Sequence, residues 1–343
     1  MPRAFKFGGM TVPERPVLVA PDKFKGTFNA AQVAAAIGRG LERAGLMPPD
    51  LCPVADGGDG TLDALLPQLG GELVAKTVTG PLGAPVKTGF GLIEGGGTAI
   101  VEMAMASGLA LVGEDKDAWG ATTYGTGELI AAAAQAGAAV ILVAVGGSAT
   151  TDGGQGAIDA IEAAGGIGKA KIVILTDVRT PWEDAPKVFG PQKGADDAMV
   201  AKLERRLDEL AATLKKDPRG VPATGAAGGL SGGLWAQYGA TIENGASFVL
   251  DALDFDDRMR AARAVVTGEG KLDQQTLQGK LVGEIGTRTR QAGVPLHAIV
   301  GRDELDGFGK RMIDLQMVQE ATNLEELEVA GERLGEALAS GEA

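Results

Sequence analysis

The stretch VILVAVGGSATTDGG, residues 140–154, constrains this chain more than any other. A run of aliphatic residues stops at Gly146-Gly147. Ser148, Ala149, Thr150 and Thr151 follow, then Asp152-Gly153-Gly154 and an alanine-rich helical pattern. The pattern predicts a buried strand, a tight turn and a helix. At such a junction glycines let backbone approach a ligand, the first helical N–H groups point outward, and the helix dipole favours an anion. Phosphate is the natural guest. For one loop alone, a plain turn with Ser, Thr and Asp as caps explains the residues as well. Recurrence shifts the balance. Similar punctuation occurs at VADGGDGT (54–61), TGAAGGLSGG (224–233) and VVTGEGKLD (265–273), and three of the four loops follow an apolar run. In a parallel α/β sheet the strand C-termini share one edge, so such loops can meet in one crevice.

At 343 residues the chain is long enough for two domains, and 45% hydrophobic content is ordinary for a globular protein. Its 54 glycines are about double the usual share, without a G-X-Y period or low-complexity tract. They cluster at strand ends. The net charge of −13, with no basic block, argues against nucleic acid or an anionic membrane surface as partner. An anionic substrate must then meet local Lys, Arg or a metal ion. The single cysteine, Cys52, lies in the apolar run LCPVA and reads as a buried strand residue in a reducing compartment. No apolar stretch is long enough to span a bilayer, and MPRAFKFGGM lacks the apolar core of a signal peptide, so the expected location is cytoplasmic. Residues 1–14 read as a loose leader, with Met10 as a second candidate start.

From residue 15 the chain repeats strand, loop and helix. A strand at 17–20 ends at Pro21-Asp22-Lys23, and a helix from about 28 carries Val33, Ile37 and Leu41 on one face. A second strand at 52–55 leads into DGGDGT and a helix through Leu62, Leu65, Leu66 and Leu69. After Gly71 the texture changes to three short strands with turns at GPLG and EGGG. Their connections are too short for parallel crossovers, so antiparallel pairing in a separate domain is expected. The α/β texture returns from 122 to 182, stops over 183–259, where a charged amphipathic helix spans 196–214, and resumes to the end with a capped helix at Asn323. The expected fold is α/β: a three-layer, parallel-sheet, Rossmann- or flavodoxin-like domain from 15–71, 122–182 and 260–343. A second, mixed α/β domain from 72–121 and 183–259 is inserted into it.

No G-x-x-x-x-G-K-[ST] and no G-x-G-x-x-G at a strand–helix junction is present, so neither a P-loop nor an ordinary dinucleotide fold is signalled. The only histidine, His297, lies inside an apolar strand and reads as packed, which disfavours zinc chemistry and His-based triads. The loops carry carboxylates instead: Asp22, Asp56, Asp59, Asp152, Asp177, Glu269 and Asp273. Beside glycine-rich cradles and a few lysines, this set suits Mg²⁺-dependent phosphoryl transfer. A hard cation takes carboxylate and phosphate oxygens, and a carboxylate accepts the alcohol proton.

The strings APDKFKGT, VADGGDGT, TGPLG, EMAMASGL, TTYGTGELI, GGSATTDGG, TDV with FGPQKGA, GAAGGL and TGEGKLDQQTLQGK occur in that order. Over about residues 15–320 the chain thereby resembles bacterial glycerate kinases of the 2-phosphoglycerate-forming type. The resemblance implies ATP-dependent phosphorylation of D-glycerate with Mg²⁺, and two α/β domains with the active site in the cleft between them. Two departures stand out. The chain is short between Gly166 and Lys171, where longer relatives carry an extra stretch, and Thr176 precedes Asp177 where many relatives have cysteine.

With the resemblance locating the site, Asp22 is placed to accept the substrate proton or hold the metal, or else to cap a turn. Lys23 and Lys25 stand as partners for a carboxylate or phosphates, or as solvated lysines. Asp56 and Asp59 share one tight loop with Gly57 and Gly58, where a shared metal or a raised pKa is expected, with helix capping the rival for Asp59. The backbone of Gly146, Gly147, Ser148, Ala149 and Thr150 is the expected anion cradle, and Asp152 serves it or only caps a helix. Thr126 and the pair Gly228-Gly229 join the binding set. Asp177, Glu269 and Asp273 are candidates for metal and substrate handling, with Asp56, Asp177 and Glu269 the expected metal ligands. Lys193 is the expected basic group of the second domain, closing over the ligand, with an exposed lysine as its rival. Three other functions remain open: a kinase for the 3-hydroxyl or another hydroxy acid, a ligand-binding sensor, and a scaffold. Self-association as a homodimer is left open.

Overall fold

The computed structural model describes all residues except 1–5, 8–9, 12–14, 25, 279 and 343. Among them the strands, in chain order, are β1 (Lys6–Phe7), β2 (Met10–Thr11), β3 (Val17–Pro21), β4 (Asp50–Leu51), β5 (Glu72–Thr79), β6 (Pro85–Ile93) and β7 (Thr98–Glu102). They continue with β8 (Val140–Ala144), β9 (Lys171–Thr176), β10 (Thr241–Asn244), β11 (Ala264–Gly268), β12 (Leu296–Val300) and β13 (Leu315–Glu320). Most of the expected leader lies outside the described residues; within it β1 and β2 pair antiparallel. The chain forms two compact units, one from Met1–Asp56 and Val249–Ala343, the other from Gly57–Phe248.

The first unit is built on a five-stranded sheet in the order β13-β12-β11-β3-β4, parallel throughout. Strands β3, β11 and β12 are buried along their whole length, which is why they read as continuous apolar runs rather than alternating ones. The helix Ala30–Arg43 starts in a capping box, in which Asn29 accepts from the Gln32 N–H and Gln32 from the Asn29 N–H. Its buried Val33, Ile37 and Leu41 pack with Leu327 and Leu334 of the helix Leu324–Ser340. That closing helix begins as expected, with Asn323 accepting from the Glu326 N–H. His297 is fully buried in β12, neither ring nitrogen has a partner among the described residues, and burial pulls its pKa down to about 4. It is a packed residue. Cys52 is buried too, and burial pushes its thiol up to about 12, which keeps it unreactive.

The second unit carries a six-stranded mixed sheet in the order β10-β9-β8-β7-β6-β5. Strands β7 to β10 are parallel, while β5 and β6 form an antiparallel flank. Strand pairing therefore divides the chain elsewhere than at the expected boundaries of 72, 122, 183 and 260. Of the three strands expected as a separate antiparallel domain, β7 pairs in parallel with β8, and β8 and β9 belong with β5–β7 rather than with the sheet of β3 and β11. The cause is visible in β7 itself: all five of its residues are buried, as suits a central strand. The expected charged helix is Asp197–Ala211, capped by Asp196 and anchored by Leu203, Leu207 and Ala211. No helix among the described residues is long and apolar enough to cross a membrane.

Candidate active site

In the first unit, β3 and β11 are parallel neighbours whose last residues, Pro21 and Gly268, face each other. The next residues, Asp22 and Glu269, therefore leave the sheet side by side, and the Asp22 N–H donates to the Gly268 carbonyl at 2.8 Å. The Cys52 and Val54 N–H groups donate to Val19 and Pro21, which carries the chain along β3 and delivers Asp56 to the same place. The Asp22 carboxylate accepts from the Lys23 N–H at 2.7 Å. Burial raises its pKa well above the usual carboxylate range, the charge of Asp56 adds to this, and that of Glu269 adds less. Glu269 is pushed up to about 7, chiefly by burial, against a hydrogen bond from the Thr276 hydroxyl (2.7 Å) and the charge of Lys280. The charges of Asp56 and Glu269 thus act on Asp22, and those of Asp273 and Asp56 on Glu269, as carboxyls placed close together do.

Asp273 accepts from the Gln275 N–H and lies 3.6 Å from Lys271, so its carboxylate shapes the loop. Lys25 lies outside the described residues. Asp177 follows β9 in the second unit, so the expected metal set of Asp56, Asp177 and Glu269 draws on both units. Among the described residues, no group of three or more His, Cys, Asp or Glu is arranged to hold a metal ion.

In the second unit, the loop after β8 is stitched to the one after β7. Leu109 N–H donates to the Gly147 carbonyl (2.8 Å) and Ala149 N–H to the Ser107 carbonyl (2.9 Å). The N–H groups of Gly146, Gly147, Ser148 and Thr150 have no acceptor among the described residues. The hydroxyls of Thr150 and Thr151 are buried with no partner there. Gly147 is exposed and Gly146 half-buried, but Ser148, Thr150 and Thr151 are buried, where donors without acceptors are costly unless a ligand or water meets them. Gly146 must be glycine, because a Cβ would come within 2.7 Å of the Gly58 Cα in the VADGGDGT loop. Gly228 is held at φ +65°, where a Cβ would lie 2.0 Å from the Thr150 carbonyl oxygen, and Gly229 packs on Gly153. These two glycines back the cradle.

Asp152 is fully engaged, accepting from the Thr123 N–H and hydroxyl and from the Gly154 and Gly156 N–H groups. It occupies the start of the helix Gln155–Ala163, so the available donors belong to the loop and not to that helix. This corrects the expected use of the helix N-terminus and favours the capping role of Asp152. Thr126 is buried, its hydroxyl 2.8 Å from that of Ser107.

Lys193 is neither exposed nor in a separate domain from the cradle. Its Nζ is buried and donates to the Thr150 carbonyl at 2.5 Å. Burial lowers its pKa to about 7, opposed by the charge of Asp152. It holds the cradle from within the same unit.

Glu102, absent from the candidate set, ends β7 and accepts from the Gly60 and Leu62 N–H groups at 3.0 and 3.1 Å. It thereby caps the helix Thr61–Gln68, whose own N-cap, Gly60, has no side chain to do so. Burial pushes Glu102 up to about 7, with its two amide bonds opposing and Asp59 adding to the rise. Its signal in the sequence is a carboxylate ending the otherwise apolar run TAIVE. Gly57, Gly58 and Asp59 lie in the loop it holds, Gly57 packed on Gly245.

Backbone donors at the strand ends of the second unit and interacting carboxyls at those of the first are groups that a phosphotransferase acting on an alcohol uses, and the chain's relatives are of that class. The sequence profile of the glycerate kinase family matches residues 17–165 and 162–337. Glycerate 2-kinase of Escherichia coli (strain K12) is 35% identical over 325 residues, covering 83% of this chain and 84% of that protein. Glycerate kinase of Bacillus subtilis (strain 168) is 38% identical over 324 residues, with 83% and 84% covered. A crystal structure of a protein assigned as glycerate kinase 2 from Salmonella typhimurium LT2 superposes with a TM-score of 0.80 at 32% identity, covering 96% of this chain and 99% of that one. The chain belongs to the glycerate kinase family.

Proposed function

We propose that this protein transfers the γ-phosphoryl group of ATP to the 2-hydroxyl of D-glycerate, releasing 2-phosphoglycerate and ADP, with Mg²⁺ as the required ion. The observation that carries this reading is the trio Asp22, Asp56 and Glu269, two of whose members have raised proton affinity. A carboxylate so tuned accepts the proton of an attacking alcohol better than an ordinary one. Asp22 takes that proton as the hydroxyl oxygen bonds to phosphorus and the bond to the ADP oxygen breaks. Lys23 meets the glycerate carboxylate. The N–H groups of Gly146, Gly147, Ser148 and Thr150, with the Thr150 hydroxyl, donate to phosphate oxygens, and Lys193 keeps the loop in shape for them. Asp56 and Glu269 would offer hard oxygen donors of the kind that suits Mg²⁺, with Asp177 a further carboxylate of that kind, and the repulsion that Asp56 exerts on Asp22 and Glu269 is of a sort that a cation relieves. When bound, the ion offsets charge on the phosphate oxygens.

The alternative of a sensor without turnover accounts less well for carboxyls held at raised pKa, since binding alone needs no proton acceptor. ³¹P NMR of the protein with Mg-ATP and D-glycerate tests the proposal. A 2-phosphoglycerate signal is expected. A 3-phosphoglycerate signal would overturn the choice of hydroxyl, and intact ATP would overturn the kinase reading.

A further inference from the structure

The six-stranded sheet ends on two very different strands. At one edge β10 has four residues; at the other β5 runs for eight, in unbroken register with β6 and without a bulge. Glu72, Leu73, Ala75, Lys76 and Thr77 are exposed, Leu73 to 54% of its surface. Proteins usually guard such an edge with proline, bulges or several like charges, and ELVAKTVT has no proline and two charges of opposite sign, Glu72 and Lys76. The Thr79 N–H turns away from β6 to donate to Glu128 Oε2 at 2.6 Å. Alternation along an antiparallel strand then puts the N–H and C=O groups of Leu73, Ala75 and Thr77 on the open side. The end at Thr79 is closed by Glu128, and the stretch 73–77 is open.

We infer that β5 is a self-docking edge, on which a second copy of this chain adds its own β5 antiparallel across a two-fold axis at Val74. The register follows from the residues. Open-side residues must face open-side residues, so the axis passes through a strand residue and paired numbers sum to an even value. An axis at Lys76 sets the two lysines against each other and needs the Thr79 end that Glu128 already covers. An axis at Ala75 sets Lys76 against Val74, and one at Leu73 sets Glu72 against Val74. With the axis at Val74, Glu72 lies opposite the partner's Lys76 and Lys76 opposite the partner's Glu72. Leu73 faces the partner's Ala75, beside the shallow depression lined by Ala75, Thr77 and Met105. Both charge pairs fall at non-hydrogen-bonded positions, where facing side chains are closest. The contact is isologous, as a closed dimer requires, and joins the two sheets into one.

Sedimentation velocity of the full chain tests this. The expected result is a dimer that Glu72→Lys or Lys76→Glu turns into monomer and that the double reversal Glu72→Lys/Lys76→Glu restores, with far-UV circular dichroism unchanged in all three. A second readout fixes the register: Val74→Cys gives a covalent dimer under mild oxidation and Ala75→Cys does not. A wild-type monomer at every concentration would overturn the proposal. So would a dimer indifferent to both single reversals, or cross-linking at Ala75→Cys in place of Val74→Cys.

Discussion

Two strand edges of this protein are built on opposite principles. At the end of β3 and β11, side chains dominate: burial raises the proton affinity of Asp22 and Glu269, and the charge of Asp56 adds to both. At the ends of β7 and β8, backbone dominates: glycines bring loops within contact distance, N–H groups stand without acceptors among the described residues, and buried Lys193 and Glu102 brace the loops from behind. The first edge is suited to moving a proton, the second to holding an anion. Isosteric side-chain changes should therefore damage the first through rate. Changes of backbone shape should damage the second through stability and affinity.

The largest effect on folding is expected from Gly228→Ala. The new methyl combines a disfavoured φ with a clash against the Thr150 carbonyl, costing about 3 kcal/mol or more. Differential scanning calorimetry should show the melting temperature falling by on the order of 10 °C. An unchanged melting temperature would mean the loop is not packed on Thr150.

Glu102→Ala comes next. It strands the Gly60 and Leu62 N–H groups and should cost about 2 kcal/mol in urea unfolding, with Glu102→Gln losing less because one amide keeps an acceptor.

Glu269→Gln sharpens the comparison through pH. The folded-state pKa of Glu269, about 7, lies above its unfolded value, so the folded protein holds that proton more tightly. This contribution is fully present below about pH 4.5 and is lost as pH rises through 7. The variant should show a flatter fall in metal-free buffer and gain about 2 kcal/mol on the parent between pH 5 and 8, allowing for partial exposure. Denaturant midpoints across that range check it, and parallel curves would contradict it.

The smallest effect is expected from Thr150→Val. The hydroxyl has no partner among the described residues, so stability should hold while ATP affinity falls about tenfold, as for one lost hydrogen bond. Titration calorimetry reads both outcomes.

Much of this was legible in the chain. The aliphatic run before Gly146 is β8, the helix face of Val33, Ile37 and Leu41 is buried as its spacing requires, and Asp22 lies within reach of the charges of Asp56 and Glu269. What escaped was long-range. Glu102 reads as the tail of a strand, because the amides it holds lie about forty residues earlier and only the sheet brings them close. Lys193 lies two residues after a proline and just before a glycine, a context that looks like an exposed turn, and nothing local reveals the Thr150 carbonyl waiting for it. The change of texture after Gly71 is real, yet it marks the antiparallel flank of a mixed sheet, and local pattern does not distinguish that from a domain boundary.

The central claim, that the carboxylate edge moves the proton and the glycine-rich edge holds the nucleotide, is tested most directly on Asp22→Asn. Its ATP dissociation constant and its single-turnover rate of phosphoryl transfer to D-glycerate should be measured on the same preparation. The expected result is near-unchanged ATP affinity with a transfer rate lower by about 10²–10⁴-fold, the usual worth of a positioned general base. A transfer rate like that of the parent, or a loss explained wholly by weaker ATP binding, would contradict the division of labour.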